Sequence, residues 1–570
     1  MKIDRFRSWL PKSVEALSGY SSGDFAADLT AGLTVGLVAL PLAMAFGISS
    51  GVTPQAGIYT AVIAGFLISA LGGSRTQIGG PTGAFVVVIA AIIAKHGLSG
   101  LLMVTMMAGM ILLFLGITGL GNAVKFIPRP VIIGFTNGIA VLIASTQVKD
   151  FLGIRAEGAV PSEFIERMRY LWEHLGSTSP TTVLLALCSL VVIISFPRIT
   201  RKVPGSIVAL VLATACVPLL GIPVETIGSK FGGIPTGLPP LVVPELRLDL
   251  VIPLLPSAVT VALLAAIESL LSAVVADSMS GDRHNSNVEL VAQGIANLTV
   301  PLFGGIPVTG AIARTATNIR SGARTPVSGM VHALTLLAII LFAAPLARFI
   351  PLGTLAAVLF VVSYNMGEWR EIPMILHQEP KDIVVWLITF ALTVLADLTI
   401  AVEVGMTMAA LLYIYQVSRT TVVAPITSEA IEKARVHRLQ DRTIPPYVGI
   451  FHIQGPFLFG AAEKLNDVVI DDLNLIVILR LRYMTALDAT GLYAIERFHE
   501  RLHASGRTLL LCGARSQPKR LIYTSTLPRV VGARNILPNI TSALKRASTI
   551  NEGFGGIGEE AASGLIEAPV

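Results

Sequence analysis

Residues 302–323, LFGGIPVTGAIARTATNIRSGA, decide how this chain must fold. The stretch is rich in Gly, Pro, Thr and Arg, yet apolar segments of the chain precede and follow it. Irregular backbone of this kind is tolerated at membrane depth only where it is buried in protein or lines a water-filled cavity. Broken helices with these properties form the substrate sites of many secondary transporters. We therefore expect the stretch to interrupt a membrane domain and to mark its functional site.

The composition excludes a soluble globular chain. Of the 570 residues, 53% are hydrophobic and only 14% are charged, whereas soluble domains contain about 25% charged residues. Apolar runs of membrane-spanning length recur through the first three quarters of the chain. The net charge of +6 is spread over loops and tails. This distribution indicates orientation in a lipid bilayer and no nucleic-acid partner.

Metal and cofactor chemistry is not indicated by the sequence. The three cysteines lie far apart, and the nine histidines lack the spacing of metal ligands. We therefore expect neither a metal nor a cofactor. No Walker-type Gly-Lys-Ser/Thr motif occurs, so ATP-driven transport is not expected. Since no nucleophile–base constellation is evident either, an enzyme is not expected.

Fourteen apolar segments occupy residues 29–418, after a polar, basic segment at residues 1–28. They lie at residues 29–50, 57–72, 82–95, 98–118, 129–148, 180–196, 204–222, 253–279, 289–302, 308–320, 327–347, 351–365, 383–397 and 399–417. Segments 82–95 and 308–320 are shorter than the ~20 residues that a membrane-spanning helix needs, so we predict two half-helices. The placement of basic residues predicts an even number of crossings with both termini in the cytoplasm.

Two short sequence echoes predict an internal repeat. Phe126-Ile127-Pro128 recurs as Phe349-Ile350-Pro351, and the Gly72-Gly73 pair recurs as Gly304-Gly305. The two offsets, 349 − 126 = 223 and 304 − 72 = 232, are similar. Two related halves with an odd number of spans each must lie in opposite orientations in the bilayer.

The composition changes after the last apolar segment. Residues 419–445 form a polar linker, and residues 446–548 alternate apolar runs with an amphipathic helical pattern. Strands that alternate with helices predict a small soluble α/β domain. The Gly- and Glu-rich residues 549–570 are expected to form a disordered tail.

Motifs along nearly the whole chain resemble those of a known family. Residues 35–85 contain ALPLAMAFG…GIY and a GGSR…GPTG turn, residues 265–298 begin with AAIESLLSAVVADSMSG, and DATG stands at Asp488–Gly491. Together with the stretch 302–323, these motifs resemble the sulfate permease (SulP) family of anion transporters, which have a C-terminal STAS domain. Within the family, ESLL followed by GAIARTATNIRSGA is most similar to the bacterial C4-dicarboxylate members.

The resemblance implies both a fold and the position of a site. The implied fold is a polytopic α-helical membrane protein of about 14 segments in a 7+7 inverted repeat, with a UraA-like core and gate. A small cytoplasmic α/β STAS domain follows the membrane domain. The resemblance places the anion between the facing N-termini of the third and tenth segments. It also suggests a homodimer.

Residues at the starts of the two half-helices are candidates for binding the anion. Helix N-termini offer free N–H groups and about half a positive charge, so an anion is their natural occupant. The candidate substrate-binding residues are Gln55, Thr82, Gly83, Thr309, Gly310, Ala311 and Arg314. A buried guanidinium such as that of Arg314 is costly in a membrane and usually functional. The alternatives are that the glycines serve helix packing and that Arg314 forms a structural ion pair.

Glu268 is the candidate for proton coupling. It lies in the apolar run VTVALLAAIESLLSAVVA, which contains no basic residue, and such a carboxyl group is favoured in its neutral form. Ser269 and Ser272 are possible supporting residues, and a structural role for Glu268 is the alternative. In relatives proposed to use sodium, an Asp and two Thr occupy the positions of Glu268, Ser272 and Ile312. Because Ile312 has no side-chain oxygen, sodium is less expected than protons.

Thr490 is a possible regulatory phosphosite in the STAS-like domain. It occupies the place in DATG where related regulatory proteins carry a phosphorylatable Ser. A phosphate there would add nearly two negative charges at the start of a helix. The alternative is that Thr490 only caps that helix.

The leading functional hypothesis is proton-coupled uptake of an anion by alternating access in the cell inner membrane. The substrate expected from the subfamily resemblance is a C4-dicarboxylate such as succinate or fumarate. The alternative within the family is a sulfate or bicarbonate transporter. Alternatives from other classes are a membrane-anchored STAS regulator and an uncoupled anion channel.

Overall fold

The computed structural model describes residues 9–553, except 122–127, 156–159, 162, 200–203, 234–236, 243, 245–246, 397, 427–443 and 460. The chain folds into two units, residues 1–409 and 410–570. The boundary lies within the helix Leu398–Thr420, which we count with the first unit. Most of the predicted linker and the last 17 residues of the predicted tail (554–570) lie outside the described residues.

The first unit consists of helices and two very short strands. Its elements are α1 (Lys12–Leu17), α2 (Ser22–Ser49), α3 (Pro54–Leu71), β1 (Gly79–Gly80), α4 (Ala84–Ile117), α5 (Arg129–Leu152), α6 (Phe164–Glu173), α7 (Pro180–Ser195), α8 (Gly205–Leu220), α9 (Ile227–Phe231), α10 (Val251–Ser280), α11 (Ser286–Thr299), β2 (Thr309–Gly310), α12 (Ile312–Arg320), α13 (Val327–Ala347), α14 (Leu352–Met366), α15 (Ile372–Leu376), α16 (Pro380–Leu395) and α17 (Leu398–Thr420).

The helices of this unit are those of a polytopic membrane protein. Seven described helices are long and apolar enough to cross a membrane by length and composition, namely α2, α3, α4, α5, α7, α10 and α13. Gly97 interrupts α4, because its φ of 68° and ψ of −174° are not helical. Residues 84–96 and 98–117 are therefore separate segments. With the shorter helices, the described residues contain the predicted fourteen segments, and both predicted half-helices are present as residues 84–96 and α12.

The first long helix begins earlier than the sequence pattern predicted. A capping box between Ser21 and Asp24 starts α2 at Ser22, whereas the polar N-terminal segment was expected to extend to residue 28. The polar residues that suggested a longer segment have partners within the fold. Asp28 is fully buried and accepts hydrogen bonds from the Arg324 backbone N–H (2.8 Å) and the Thr325 hydroxyl (2.5 Å). Hydrogen bonding lets a carboxylate occupy a helix that also carries apolar residues.

The pairing of helices repeats between the two halves of the unit. The 98–117 part of α4 and α11 pack together, and so do their counterparts α13 and α3. Outside this group, α5 packs on α16, and α14 packs on α7. In the repeat α14 is the counterpart of α5, and α7 is the counterpart of α16, so the same pairing occurs twice. This is the packing expected of an inverted repeat with a core and a gate.

The sequence echoes fall at equivalent positions of the repeat. Pro128 and Pro351 each precede a helix, α5 and α14 respectively. Gly72 follows α3, and Gly304 follows the short 3-10 turn after α11. From each of these glycines the chain continues without helix toward a short strand. The predicted repeat is therefore confirmed, although Phe126 and Ile127 lie outside the described residues.

Replacing Gly57 by Val is expected to unfold the membrane unit. A Cβ at Gly57 would overlap the carbonyl group of Ala43, so α2 and α3 would have to separate. Overpacking typically lowers the free energy of unfolding by about 1–3 kcal/mol. We expect a larger loss here, because the obstacle is backbone. The measurement is thermal unfolding and size-exclusion chromatography of the detergent-solubilised chain. Gly23→Ala is the control, since its Cβ would meet nothing closer than 3.7 Å; equal stability of the two variants would contradict the prediction.

The second unit contains a five-stranded sheet flanked by helices. Its elements are β3 (Val422–Pro425), β4 (Val448–Phe457), β5 (Ile476–Leu487), α18 (Ala489–Ala504), β6 (Thr508–Cys512), α19 (Ser516–Thr524), β7 (Ile536–Leu537) and α20 (Ile540–Gly553). The strand order is β3-β4-β5-β6-β7, with β3 antiparallel to β4 and the other neighbours parallel.

Both faces of this sheet are covered by apolar side chains. On one face, Leu479 and Leu509 pack in a cluster with Ile495 and Phe498 of α18. On the other face, Ile478 and Leu510 pack in a cluster with residues of α20. Parallel strands buried on both faces account for the continuous apolar runs in the sequence. The predicted α/β domain is confirmed, and its last helix extends to Gly553, into the region predicted as a tail.

Candidate functional site

Two extended segments meet inside the membrane unit. Strands β1 and β2 pair in antiparallel fashion, with Gly79 opposite Gly310 and Gly80 opposite Thr309. The pairing continues with a hydrogen bond from the Ala311 N–H to the Ile78 carbonyl group (2.8 Å). Backbone groups within a membrane need such internal partners. As a result, the helical segments 84–96 and α12 begin next to one another, as the sequence predicted.

We call the place where β1 and β2 pair the crossing. Its glycines allow close packing of neighbouring side chains. A Cβ at Gly79 would overlap Ile68, and a Cβ at Gly310 would overlap the Gln77 side chain. A Cβ at Gly83 would lie 2.7 Å from Cδ1 of Ile143 in α5. For these three positions the packing explanation is therefore sufficient. Gly80 is different, since a Cβ there would overlap Nη1 of Arg314.

One face of α12 bonds to the chain segment 76–81. The guanidinium of Arg314 donates to the Pro81 carbonyl group, and Nδ2 of Asn318 donates to the Thr76 carbonyl group (2.9 Å). Between them, the Thr315 hydroxyl oxygen accepts a hydrogen bond from the Ile78 N–H (3.0 Å). All three side chains are buried. They fix the orientation of α12 relative to the start of segment 84–96.

Replacing Thr315 by Val is expected to loosen this attachment. The variant keeps the shape of the side chain but removes the acceptor for the Ile78 N–H and for the Ser272 hydroxyl (3.1 Å). Leaving a buried donor without a partner costs about 1–3 kcal/mol. We expect a lower thermal unfolding temperature for the purified chain. Thr317→Val is the control, because among the described residues the Thr317 hydroxyl bonds only to the Ala313 carbonyl group of its own helix (2.8 Å). An equal loss in both variants would argue against a specific role for Thr315.

Arg314 supplies a buried cation with an unused donor. Its side chain is 2% exposed, and its Nη1 has no hydrogen-bond partner among the described residues. An N–H group left in this state inside a membrane is costly. Arg314 lies at the start of α12, where the first N–H groups of the helix have no acceptor within the helix. An anion held here would satisfy both kinds of donor.

Glu268 of α10 lies beside the same crossing. Its Oε2 accepts a hydrogen bond from the Thr82 hydroxyl (2.8 Å). Glu268 and Arg314 also interact electrostatically, although no direct ion pair joins these two described residues. The sequence showed no basic residue in the span of Glu268. The structure supplies a cation from another segment, which brings a titratable carboxyl group and a buried guanidinium into one site.

Several predicted residues are engaged in the framework of the site. The Ser269 hydroxyl accepts a hydrogen bond from the Gln77 amide (2.9 Å), and the Ser272 hydroxyl donates to Thr315. The Thr309 hydroxyl donates to the Ala265 carbonyl group (2.7 Å). These hydroxyl groups thus join α10 to the chain segment 76–81, to α12 and to β2. Gln55 lies in the first turn of α3 and takes part in none of these hydrogen bonds. Its buried Oε1 has no hydrogen-bond partner among the described residues.

Sequence analysis missed Glu289, a further buried carboxyl group. Glu289 is fully buried in α11 and accepts hydrogen bonds from the Gly73 N–H (2.9 Å) and the Gln293 amide (3.0 Å). It therefore anchors the Gly72-Gly73 turn from which the chain enters the crossing. Its polar neighbours in SNVELVAQ resemble a solvated helix start, and this similarity concealed its burial.

Asn297 of the same helix was also missed. It anchors the chain that enters the crossing from the second half, as Glu289 does for the chain from the first half. Its Oδ1 accepts from the Val308 N–H (3.0 Å), and its Nδ2 donates to the Val308 carbonyl group (2.8 Å). The Thr60 hydroxyl oxygen accepts from the Ile306 N–H (2.8 Å). These side chains satisfy the irregular backbone that leads to β2. A polar residue within an apolar run, close to a Gly-Pro-rich stretch, is the signal by which such residues can be found.

Thr490 is exposed near the start of α18 in the second unit. The helix is capped by Asp488, whose carboxylate accepts hydrogen bonds from the Gly491 N–H (2.8 Å) and the Phe459 N–H (3.1 Å). The capping alternative for Thr490 is therefore wrong, because Asp488 already fills that role. Phosphorylation of Thr490 stays a prediction.

Both units match known protein families. Residues 25–389 match the model of the sulfate permease family, and residues 440–543 match the model of the STAS domain. The putative sulfate transporter YvdB of Bacillus subtilis is 41% identical, over 86% of this chain and 92% of that protein. The bicarbonate transporter BicA of Picosynechococcus is 33% identical, over 88% of this chain and 91% of that protein.

The fold matches that of a solved anion transporter. The structure of murine Solute Carrier 26 family member A9 superimposes with a TM-score of 0.83, covering 96% of this chain and 95% of that chain. The sequence identity is 18%, so this similarity concerns the fold alone.

Proposed function

The chain belongs to the sulfate permease family and is an anion transporter, and we propose that it takes up sulfate together with protons by alternating access. The observation that supports this proposal is the Nη1 of Arg314. This donor is buried and has no partner among the described residues, and it stands where two helical segments begin. An anion is the ligand that such a set of groups binds best.

The charge of the site supports coupling between sulfate and protons. Arg314 contributes one positive charge, and each of the two helix N-termini contributes about half a charge. With Glu268 ionised the site carries about +1, and with Glu268 protonated it carries about +2. The second state matches the two negative charges of sulfate. Proton binding and sulfate binding then favour each other, which is the thermodynamic requirement for cotransport.

Bicarbonate is the second candidate substrate. Its single negative charge matches the site with Glu268 ionised, so it would need no proton. The name of the relative BicA also favours this candidate. The two substrates therefore differ in the expected effect of a pH gradient.

The C4-dicarboxylate prediction receives no support from the relatives, whose names refer to sulfate and bicarbonate. Protons are favoured over sodium on two grounds. Ile312 offers no oxygen, and the Ser272 hydroxyl is committed to Thr315. A homodimer, location in the cell inner membrane, and cytoplasmic termini and STAS domain stay part of this proposal.

Competition for uptake tests the choice of substrate. The purified chain in proteoliposomes takes up labelled sulfate while unlabelled sulfate, bicarbonate or succinate is added outside. We expect sulfate to compete at the lowest concentration and succinate to have little effect. Stronger competition by bicarbonate would favour the second candidate, and stronger competition by succinate would contradict the substrate class. An uncoupled channel or a regulator without transport would show, respectively, uptake indifferent to pH or no uptake at all.

A further inference from the structure

A cavity of about 880 Å³ lies at the end of the membrane unit where α2 ends and α3 begins. Residues 48–53, several residues of α4 between 87 and 98, and the last turn of α5 line it. We refer to this cavity as the vestibule. In the predicted orientation it faces the outside of the cell. Arg314 and Glu268 do not line it, so it is separate from the site described above.

The N-terminus of α3 opens on the vestibule. Thr53 is the N-cap residue of this 18-residue helix, and its side chain makes no capping hydrogen bond. Both Thr53 and Ala56 line the vestibule. Pro54 has no N–H group, and the Ala56 N–H donates to the Thr53 carbonyl group (3.1 Å), so in the first turn the Gln55 N–H is left without an acceptor among the described residues. The helix dipole adds positive potential at this end.

Ser50 is a second, independent feature of the same wall. It lines the vestibule, it is 0% exposed, and its Oγ has no hydrogen-bond partner among the described residues. Buried hydroxyl groups normally have a partner, and this one is free to donate to a ligand. The end of α2 does not oppose an anion, because the Phe46 and Gly47 carbonyl groups accept from the N–H groups of Ser50 (3.0 Å) and Val52 (3.1 Å) respectively.

Basic side chains outnumber acidic ones in the vestibule. The charged residues of its lining are Lys149, Arg167, Lys230 and Asp150. Asp150 is paired with Lys230 at 3.3 Å, whereas the Lys149 ammonium group has no ion pair or hydrogen bond among the described residues. The end of α5 that carries Lys149 adjoins the end of α2, since the Gln147 amide donates to the Ser49 hydroxyl (3.0 Å).

We propose that the N-terminus of α3, the Ser50 hydroxyl and the Lys149 ammonium group bind a small oxyanion in the vestibule. This site holds sulfate at the entrance before it reaches Arg314, and in that respect the inference rests on the proposed function. A positively charged cleft raises the local concentration of an anion and speeds its association. The vestibule site therefore sets the apparent affinity for external sulfate, and Arg314 governs translocation.

Equilibrium binding of labelled sulfate to the purified full-length chain tests the site directly. In an Arg314→Gln background we expect sulfate binding to persist. Adding Lys149→Gln should weaken that binding about tenfold, and Ser50→Ala should weaken it by a smaller factor. Arg348→Gln is the matched control, because Arg348 is an exposed cation near the same end that does not line the vestibule. Absence of sulfate binding in the Arg314→Gln chain, or binding indifferent to Lys149→Gln, would overturn the proposal.

Uptake kinetics separate this inference from the proposed function. With Arg314 intact, Lys149→Gln should raise KM for external sulfate about tenfold and leave kcat within about twofold. The effect should shrink at high ionic strength, and Lys149→Arg should restore a normal KM. Sulfate binding that depends on Lys149 without any uptake by the wild-type chain would contradict the proposed function alone. Normal uptake with an unchanged KM in Lys149→Gln would contradict the vestibule site alone.

Discussion

Arg314→Gln is expected to lower the initial rate of sulfate uptake by about 30-fold or more. Removing one partner of a buried, charge-assisted contact costs about 2–5 kcal/mol, and the lower bound of about 2 kcal/mol corresponds to about a 30-fold change in rate. The variant removes the cation at the crossing, and it leaves Glu268 without the charge that interacts with it. Arg314→Lys should restore little activity, because an ammonium group cannot reproduce the planar donor set of a guanidinium.

Two controls separate loss of transport from loss of folding. Arg320→Gln removes an exposed cation from the last turn of the same helix and should transport normally. The Arg314→Gln chain should elute as a monodisperse species in size-exclusion chromatography. A folded Arg314→Gln chain with wild-type uptake would remove the basis for the anion site.

Glu268→Gln is expected to abolish the response of sulfate uptake to a pH gradient. Gln resembles the protonated carboxyl group in shape and charge, so the site should stay at about +2 and should still bind sulfate. Without a titratable group, proton and sulfate binding are no longer linked. In the wild-type chain, each coupled proton provides about a tenfold accumulation per pH unit, because one unit corresponds to 1.36 kcal/mol. The variant should exchange sulfate across the membrane without accumulating it.

The assay compares uptake with and without an inward proton gradient, and it measures sulfate exchange in the same vesicles. Glu173→Gln serves as the matched control, because Glu173 is an exposed carboxylate at the end of α6. It should keep both exchange and accumulation. Accumulation by Glu268→Gln at the wild-type level would assign the proton to another group and leave Glu268 with a structural role.

The membrane fold was predictable because most spans can be recognised in the sequence by their length and apolar composition. The runs 82–95 and 308–320 are too short to cross, but the run 289–302 is equally short, so length alone did not identify the half-helices. The Gly pairs marked the points where helices give way to extended chain. The start of α2 was not predictable in this way. Asp24 and Asp28 are polar in sequence, but the first forms a capping box and the second is bonded to Arg324 and Thr325.

The site was predictable in its main groups and not in its framework. Arg314 and Glu268 were recognisable because a charged side chain within an apolar run is costly in a membrane and is usually kept for a function. Single-sequence reasoning cannot show which hydroxyl groups meet across segments. Ser269 and Ser272 were placed beside the acid, yet they bond to Gln77 and Thr315. Glu289 and Asn297, which hold the crossing segments, become evident only when the loops they bond to are located in space.

The most direct measurement of the central claim is sulfate accumulation by the wild-type chain under an imposed proton gradient. Proteoliposomes start with equal labelled sulfate on both sides and with the membrane potential clamped, so only the pH difference can drive movement. We predict that internal sulfate rises transiently above the external concentration, by up to about tenfold per pH unit for each coupled proton. Internal sulfate that stays at the external concentration, in vesicles that exchange sulfate normally, would contradict proton-coupled transport by this protein.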